Sequence, residues 1–175
     1  TASCSGSAFS ITPATPLTAG SHTVAATQTD AGGNISSVSS AKTFTVYATF
    51  SNVDCTDSVD LTTMGGISQS ECQALQDLYF YTGGASWTNK TAWDTASDVN
   101  TWHGITRTGT HVTIINLQTN HLVGTLPSSI SNFTSLAVLN VENNTLSGSI
   151  PSIASNTLLT GLILDMNSFT GSIPS

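Results

Sequence analysis

The chain has 175 residues, of which 38% are hydrophobic, enough to build a core, and it carries a net charge of −7 at pH 7. Only 7% of the residues are charged, against roughly 25% in an average globular domain, and 55 are serine or threonine, a composition common in secreted and cell-surface β-rich proteins. The three cations are scattered and no apolar run reaches about 18 residues, which argues against nucleic acid, anionic membrane surfaces and a membrane-spanning helix in this segment.

Residues 1–50 contain three short runs of alternating polar and apolar residues, at 8–12, 22–29 and 42–49, separated by turn-forming segments. These runs predict three β-strands. The stretch PLTAGSHTVAATQTDAGGNISS, residues 16–37, resembles the closing strands of bacterial Ig-like modules, which occur in tandem in surface adhesins. Because an Ig-like sandwich has about seven strands, the resemblance implies a partial Ig-like module.

Residues 51–67 are predicted to form an acidic linker. Asp54, Asp57 and Asp60 could bind Ca²⁺, but three carboxylates fall short of the six to eight oxygen ligands that this ion takes. A solvated acidic linker explains the same residues more simply. No other cofactor is predicted, because the histidines are scattered and no cysteine or histidine cluster has metal-ligand spacing.

The three cysteines are Cys4, Cys55 and Cys72. Cys55 and Cys72 flank one loop and could close it with a disulfide, which would contribute about 3 kcal/mol in the chain-entropy model. Cys4 is then left over. Its partner lies upstream of Thr1 or its thiol is free, and the sequence leaves both alternatives open.

The segment from Ser68 onward carries the start and stop signals of a helix. Ser68 as N-cap and Glu71 three residues later form a capping box. Apolar residues then recur at helical spacing over 72–79, and the glycine pair at 83–84 ends the helix. The pattern predicts a one-sided helix of about three turns that covers a hydrophobic core.

Residues 111–175 repeat internally, with a period of 24 and then 23 residues. The period is seen at three asparagines, Asn120, Asn144 and Asn167, and again at three prolines. A fixed period in this range indicates stacked structural units. Each unit has the pattern Leu-x-Leu-x-x-Asn, in which the alternating apolar residues predict a short parallel strand. The inward asparagine amides predict a ladder of hydrogen bonds to adjacent turns.

This pattern, with its Gly-x-Ile-Pro ending, resembles the plant-type leucine-rich repeat. The preceding segment, with Trp87, Trp93 and the Trp-His-Gly-Ile element at 102–105, resembles the N-terminal cap of such proteins. In that family two cysteines usually flank the Trp-x-Gly element, and here those positions hold Asn100 and Arg107. The resemblance therefore implies a cap that keeps its fold without that disulfide.

The predicted fold class is mostly β, a partial Ig-like β-sandwich followed by a helix-capped leucine-rich repeat solenoid of parallel strands. The predicted organisation is a partial Ig-like module at 1–50, a linker at 51–67, a repeat cap at 68–110 and three repeats at 111–175, the last one truncated. Because a solenoid needs a cap at each end, we expect a longer protein on both sides or neighbouring copies that complete the ends.

Polar residues at equivalent strand positions define a candidate ligand face on the concave side of the solenoid: Asn116, Gln118, Asn140, Glu142 and Asp165. Its most polar column could bind a cationic or hydroxyl-rich ligand, and a merely solvated sheet face is the alternative. Glu142 and Asp165 could lie ~5 Å apart, as in a retaining glycosidase, but an open face gives neither carboxylate the burial that a general acid needs. Glycosidase activity is therefore not expected, nor is ice binding, which needs a more regular array.

Four Asn-x-Ser/Thr sequences are candidate N-glycosylation sites: Asn34, Asn89, Asn132 and Asn143. We expect glycans on several of them if the source is a eukaryote and none if it is a bacterium. A glycan on Asn143 would stand on the concave face and obstruct it.

No nucleophile–base arrangement is legible in the sequence, so we do not predict an enzyme. The primary hypothesis is a non-enzymatic extracellular or cell-surface protein with a structural or adhesion role, as a segment of a larger surface protein or a subunit of an extracellular filament. Its partners would be proteins, including copies of itself end to end. The alternative is a recognition ectodomain that binds a peptide or glycan on the concave face of the repeats.

Overall fold

The computed structural model describes residues 3–5, 8–10, 20–30, 32–46 and 53–174. The chain divides into two compact units, Thr1–Ala48 and Thr49–Ser175. The predicted helix and all the repeats belong to the second unit. No helix in the described part of the chain is both long and apolar enough to cross a bilayer.

The described strands of the first unit form two antiparallel pairs. The pairs are β1 (Ser3–Ser5) with β2 (Ala8–Ser10), and β3 (Gly20–Val24) with β4 (Lys42–Val46). Within the described ranges these two-stranded sheets do not amount to the predicted sandwich, which needs two packed sheets of several strands. The ends of the strands predicted at 8–12 and 42–49 lie outside the described residues, and the Ig-like module stays a prediction.

From Val53 onward, the segment predicted as a linker is part of the folded core. Helix α1 (Ser58–Thr63) occupies its middle, with Asp57 as N-cap accepting the Val59 N–H at 2.8 Å. Four of its side chains are buried in the core: Val53, Cys55, Met64 and Ile67. The linker prediction is therefore wrong for these residues. The sequence did not show their burial, because the apolar side chains stand among acidic ones without a helical or strand period.

A disulfide joins Cys55 to Cys72, 17 residues later, and fixes this segment to the helix that follows. The carboxylates considered for Ca²⁺ are engaged with the local backbone. Asp54 accepts hydrogen bonds from the N–H and hydroxyl of Thr56, and Asp60 accepts the Asp54 N–H at 2.7 Å. No group of three or more potential metal ligands occurs among the described residues, so the three carboxylates are not brought together as the Ca²⁺ hypothesis requires.

Helix α2 (Gln69–Tyr81) packs on the start of the repeats and begins with the predicted capping box. The Ser68 hydroxyl accepts the Glu71 N–H, and the Glu71 carboxylate accepts the Ser68 N–H. Glu71 is 1% exposed, and its Oε1 also accepts the Val112 N–H at 3.0 Å. One buried carboxylate therefore ties the first turn of α2 to the strand that opens the repeat array.

The far end of α2 is paired with the backbone of the first repeat. The carbonyls of Tyr81 and Thr82 accept the N–H groups of Thr125 and Val123 at 3.1 and 3.0 Å. Gly124 lies between them at φ 117°, and a β-carbon there would stand 2.2 Å from the Tyr81 oxygen. This close approach therefore requires glycine.

Three tryptophans cover the same end of the core. Trp87, Trp93 and Trp102 are buried, with ring centroids 4.8 Å apart for the first two and 5.0 Å for the last two. The indole N–H of Trp87 donates to the Thr82 carbonyl and that of Trp93 to the His103 carbonyl, both at 3.0 Å. The tryptophans thus fill space and also satisfy backbone acceptors where the chain is irregular.

Polar contacts join Asn100 and Arg107, the two positions where caps of plant-type leucine-rich repeat proteins usually have cysteines. The Asn100 side-chain oxygen accepts the Arg107 backbone N–H at 2.7 Å. The Arg107 guanidinium donates to both carboxylate oxygens of Asp98, to one of them at 2.8 Å, and these bonds hold the pKa of Asp98 below its usual value. An amide contact and a bidentate ion pair occupy the place of the missing disulfide.

The repeats form two narrow sheets of parallel strands. In the first sheet the order is β10 (Gly161–Ile163), β8 (Val138–Asn140), β6 (His111–Asn116) and β5 (Ile105–Thr108), with β5 antiparallel to β6. In the second sheet the order is β11 (Ser168–Thr170), β9 (Thr145–Ser149) and β7 (Val123–Gly124). Ile115, Leu139 and Leu162 stand in register in the first sheet and pack into the core, so the period of the sequence sets the register of the strands.

A buried asparagine joins the second layer of the array to the first. Asn144 Oδ1 accepts the N–H groups of Asn120 and Leu122 at 3.0 and 2.9 Å, while its Nδ2 donates to the Leu117 carbonyl at 2.9 Å. One side-chain amide therefore satisfies three backbone groups that the bend in the chain leaves without a strand partner.

The same arrangement recurs one layer before and one layer after. Asn120 Oδ1 accepts the Asn89 N–H at 2.6 Å, and Asn167 Oδ1 accepts the Leu146 N–H at 3.0 Å. The residue before each ladder asparagine is left-handed, with φ between 51° and 54°: Thr119, Asn143 and Met166. Because threonine rarely adopts this conformation, the residue type at this position does not predict the left-handed turn before each ladder asparagine.

Another buried asparagine lies between the two repeats, on the side away from the ladder. Asn156 stands three residues after an isoleucine and three before a leucine, the place that Phe133 holds in the preceding repeat. Its Nδ2 donates to the carbonyls of Ile130 and Phe133 at 3.0 and 2.9 Å. The repeat pattern does not predict this amide, because the equivalent residue one layer earlier is aromatic.

Replacing Asn144 should be far more damaging than replacing its neighbour. Asn144→Ala leaves two buried N–H groups without acceptors, and we expect it to lower the free energy of unfolding by about 3 kcal/mol. The matched control, Asn143→Gly, keeps the left-handed turn and should cost about 1 kcal/mol or less. Denaturant unfolding followed by circular dichroism measures both, and equal losses would contradict the ladder's role.

The Asp98–Arg107 pair predicts a loss of stability in acid. A carboxyl group with a lowered folded-state pKa stabilises the fold above its unfolded pKa of about 3.9 and loses this contribution as the pH falls through the folded value. We expect Asp98→Asn to flatten the dependence of the melting temperature on pH between about 5 and 2. In an Arg107→Met background the same substitution should flatten the dependence much less, because only the hydrogen bond from the Asn100 N–H then remains to lower the pKa of Asp98. An undiminished change there would refute the assignment.

Candidate ligand-binding face

The strand register places the predicted face residues in columns on the outer surface of the first repeat sheet, here called the strand face. The columns are Ile114–Val138–Gly161, Asn116–Asn140–Ile163 and Gln118–Glu142–Asp165. The third column follows the ends of the strands, and the register persists there because the Thr119 N–H donates to the Glu142 carbonyl at 2.9 Å and the Asn143 N–H to the Asp165 carbonyl at 3.1 Å. The five predicted residues therefore do come together.

Asn140 is a structural residue of this face rather than a free ligand group. Asn140 is only 8% exposed. Its Oδ1 accepts the Glu142 N–H at 3.0 Å, and its Nδ2 donates to the Gln118 side-chain oxygen at 3.1 Å. Both atoms of the amide group are thus hydrogen-bonded within the protein, and the bond to Gln118 joins two layers of the face.

The groups left for a ligand are those of Asn116, Gln118, Glu142 and Asp165. Asn116, Gln118 and Asp165 are exposed and Glu142 is half-buried. Asn116 is only weakly tied, since its Oδ1 accepts the Gln118 N–H at 3.4 Å. The side-chain nitrogens of the two amides and both carboxylates are therefore open to solvent-borne partners.

The two carboxylates give the strand face a negative edge. In the described part of the chain, Arg107 forms an ion pair with Asp98, and the imidazole of His111 lies 3.4 Å from the Glu71 carboxylate. Neither pair includes Glu142 or Asp165, so no described cation neutralises this edge. The chain as a whole has three basic residues for ten acidic ones, which adds to the negative potential.

The opposite edge of the strand face is apolar. Ile114 and Val138 are half-buried, as is Ile163 in the central column. Gly161 continues the first column without a side chain, and a β-carbon there would meet Val138 in ordinary contact at 3.5 Å. Glycine is therefore not sterically required, and it leaves a shallow step beside Val138.

A small open pocket adjoins the acidic edge, at the turn that leads into the ladder. Its volume is about 280 Å³, and it is lined by Thr88, Thr119, His121, Asn143, Asn144 and Thr145. Its lining is rich in hydroxyl and amide groups. Sequence analysis missed this pocket because Thr88 comes from the segment before the repeats and joins the others only through the hydrogen bond from its N–H to the Asn120 carbonyl at 3.1 Å.

The four glycosylation sequences lie in different surroundings. Asn34 belongs to the first unit, in a turn closed by Asp30. Asn132 is half-buried beside α2. Asn89 and Asn143 are exposed, and Asn143 lies on the turn of the second layer, beside Thr119 of the first.

Comparison with known families identifies the repeats. The sequence profile described as Leucine Rich Repeat matches residues 111–133 and 135–157, the first two of the three units. These residues therefore carry leucine-rich repeats. The match is to a repeat family rather than to a catalytic one. None of the curated proteins compared with the chain matches it.

Solved structures of plant proteins are similar to the chain. The LRR ectodomain of the receptor kinase SOBIR1 from Arabidopsis thaliana is 27% identical with a TM-score of 0.50, over 62% of this chain and 59% of that one. A plant ice-binding protein is 20% identical (TM-score 0.40, 62% and 44% covered), and the BIR3–SERK2 complex from Arabidopsis thaliana is 21% identical (TM-score 0.38, 59% and 72% covered). The chain thus spans 59% of the SOBIR1 ectodomain structure, and the likeness supports repeats of the plant type.

The structural role of Asn140 is tested by a pair of alanine substitutions. Asn140→Ala removes a nearly buried amide with two partners and should lower the free energy of unfolding by about 1–2 kcal/mol. Asn116→Ala, at the exposed position beside it in the same column, should stay within about 0.5 kcal/mol of the wild type. Thermal and denaturant unfolding measure both, and equal effects would show that Asn140 is not held by the fold.

Proposed function

We propose that the second unit is an extracellular recognition module that binds a basic, extended segment of a partner protein on the strand face. The observation that carries the proposal is the column Gln118–Glu142–Asp165, in which carboxylates on neighbouring layers have no ion-pair partner among the described residues. A regular sheet surface with unneutralised carboxylates at one edge favours the binding of a cationic partner over a purely structural role.

Electrostatics favours a cationic ligand at this column. Adjacent strands lie about 4.8 Å apart, and two like charges at such a spacing repel by about 1 kcal/mol even in water. A lysine or arginine side chain placed between Glu142 and Asp165 would relieve this repulsion and add two attractions. The net charge of −7 would also steer a basic partner towards the chain.

The neighbouring columns define what else the ligand should carry. Three layers span about 10 Å, the length of roughly three residues of extended peptide. A peptide crossing the strands would set a basic side chain on the acidic column and an apolar side chain against Val138 and Ile163. The side-chain amides of Asn116 and Gln118 would meet its backbone between these two contacts. The proposed ligand is therefore a peptide in which a basic and an apolar side chain alternate.

Several features support an extracellular location. The disulfide between Cys55 and Cys72 is typical of oxidising compartments. The surface is rich in hydroxyl groups and poor in charge, as the composition of the chain requires. The likeness to the SOBIR1 ectodomain, a domain of a receptor kinase, points the same way.

We also assign residues 68–110 as the N-terminal cap of the repeat array. Helix α2 and the buried tryptophans of this segment share one core with the repeat residues. The backbone bonds from Val123 and Thr125 to the end of α2 close the first repeat. The Ig-like module at 1–50 is kept as a proposal that rests on its sequence resemblance.

A structural or adhesion role, with copies joined end to end, is the competing proposal. It requires self-association and no ligand on the strand face, whereas recognition of a peptide or glycan requires an accessible face. Sedimentation velocity and electron microscopy of the purified chain separate the two, because a filament subunit would assemble with rising concentration.

The binding proposal is tested with a fluorescein-labelled peptide of twelve alternating lysine and alanine residues. We expect saturable binding at low salt that weakens as salt is added. The double variant Glu142→Gln with Asp165→Asn should weaken binding about tenfold, since two exposed charge contacts are worth together about 1.4 kcal/mol. Fluorescence anisotropy measures the dissociation constants, with an alternating glutamate and alanine peptide as the negative ligand.

The matched control is Asp77→Asn, which removes one negative charge on helix α2 outside the strand face. It should leave the dissociation constant within a factor of about two. An equal loss in Asp77→Asn would reduce the effect to net charge and contradict a site at the strand face. Absence of binding by the wild-type chain at low salt would overturn the proposal.

A further inference from the structure

We propose that Asn89 is the N-glycan acceptor of this chain and that Asn34, Asn132 and Asn143 stay unmodified. The inference rests on the extracellular location proposed above. It goes beyond the sequence, in which the four Asn-x-Ser/Thr sequences are equivalent candidates. What separates them is the position of each amide nitrogen in the fold.

The Asn89 side chain has its oxygen occupied and its nitrogen available. Asn89 is exposed, and its Oδ1 accepts hydrogen bonds from the N–H of Thr91 at 3.0 Å and from the hydroxyl of Thr91 at 2.8 Å. No hydrogen bond of its Nδ2 occurs among the described residues. The third residue of the acceptor sequence thus already contacts the amide, while the nitrogen that would carry the sugar is unused.

The backbone at Asn89 is held independently of its side chain. The Asn89 N–H donates to Asn120 Oδ1 at 2.6 Å, and the Asn89 carbonyl accepts from Asn120 Nδ2 at 2.8 Å. Lys90 turns back, because its ammonium group donates to the Ala85 carbonyl, and so does not cover the site. A glycan on Nδ2 would therefore break no contact that the fold uses.

The other three amide nitrogens are engaged. Asn34 Nδ2 donates to the Asp30 carboxylate at 2.9 Å, inside a turn that the same carboxylate closes. Asn132 is half-buried, and its Nδ2 is directed to the Ser70 carbonyl at 3.4 Å. A glycan at either position would have to displace the turn or part the residue from α2.

Asn143 is the informative case, because it is as exposed as Asn89. Its Nδ2 donates to the Thr119 hydroxyl at 3.1 Å and bridges two repeats. Its backbone is left-handed at φ 53°, immediately before the buried ladder residue Asn144. The nitrogen therefore points along the sheet to the preceding layer, and an unmodified Asn143 leaves the acidic column of the strand face uncovered.

The modification is a group transfer from a lipid-linked oligosaccharide diphosphate by an oligosaccharyltransferase. Asn89 Nδ2 attacks the anomeric carbon of the first sugar, and a carbon–nitrogen bond forms there. The bond from that carbon to the phosphate oxygen breaks, and the lipid diphosphate leaves with the electron pair. One proton of the amide nitrogen is released to a base of the enzyme, so no oxidant or reductant is needed.

The glycan would flank the strand face without standing on it. The backbone of Asn89 contacts the ladder residue Asn120 from the segment before the repeats, and the neighbouring Thr88 lines the small pocket near the acidic edge. A sugar chain at this place would cover the pocket beside the strand face. It would leave Glu142 and Asp165, on the second and third layers, accessible to a peptide.

The test is expression of the 175-residue chain through the secretory pathway of a eukaryotic cell line. Intact mass before and after treatment with an N-glycosidase, followed by peptide mapping, should show one glycan per chain, at Asn89. Asn89→Gln and Thr91→Ala should each abolish it, whereas Thr91→Ser, which keeps the acceptor sequence, should retain it. Asn34→Gln, Asn132→Gln and Asn143→Gln should leave the mass shift unchanged.

The outcomes separate this inference from the binding proposal. A secreted chain without a glycan, a glycan that persists in Asn89→Gln, or occupancy of Asn143 would overturn it. Peptide binding is measured on the enzymatically deglycosylated chain, so a failure of binding leaves the occupancy result intact. Melting temperatures of Asn89→Gln and Thr91→Ala within a few degrees of the deglycosylated wild type would show that the loss of glycan is not a loss of folding.

Discussion

Each layer of the repeat array depends on an inward asparagine amide, buried in the first two layers and half-buried in the third, that satisfies the backbone of the layer before it. A chain that leaves a strand and turns into the core exposes N–H and carbonyl groups with no partner in a sheet, and burying them unpaired is costly. Asn144 supplies an acceptor and a donor at the same point, on Asn120, Leu122 and Leu117. The amide therefore fixes the distance between layers as well as the turn.

The first layer has no repeat before it, so other residues must pair with the backbone N–H and carbonyl groups at its edge. Asn120 finds them in the backbone of Asn89, and the buried carboxylate of Glu71 accepts the Val112 N–H. Arg107, paired with Asp98, holds the adjoining hairpin where the resembled family has a disulfide. Polar side chains with fixed geometry thus replace the missing layer, while the tryptophans exclude water around them.

The regularity that builds the core also shapes the candidate ligand face. Because side chains alternate along a strand, a period that sends Ile115 and Leu117 inward sends Asn116 and Gln118 outward. The order of the columns could therefore be predicted, and so could the acidic edge at Glu142. The structural role of Asn140 could not be predicted, because it depends on which amide of a neighbouring layer lies within hydrogen-bond distance of its side chain.

The sequence by itself determined the features that repeat or that act within one turn: the ladder positions, the strand register, the capping box at Ser68 and the Gly-x-Ile-Pro bend. Each follows from a local period or a contact between residues three or four apart. Tertiary structure alone decided the burial of Val53, Cys55, Met64 and Ile67, the amide at Asn156 and the availability of the nitrogen of Asn89. These depend on which distant backbone groups meet a side chain, and hydrogen bonds and packing across layers leave no mark in the local pattern of residues.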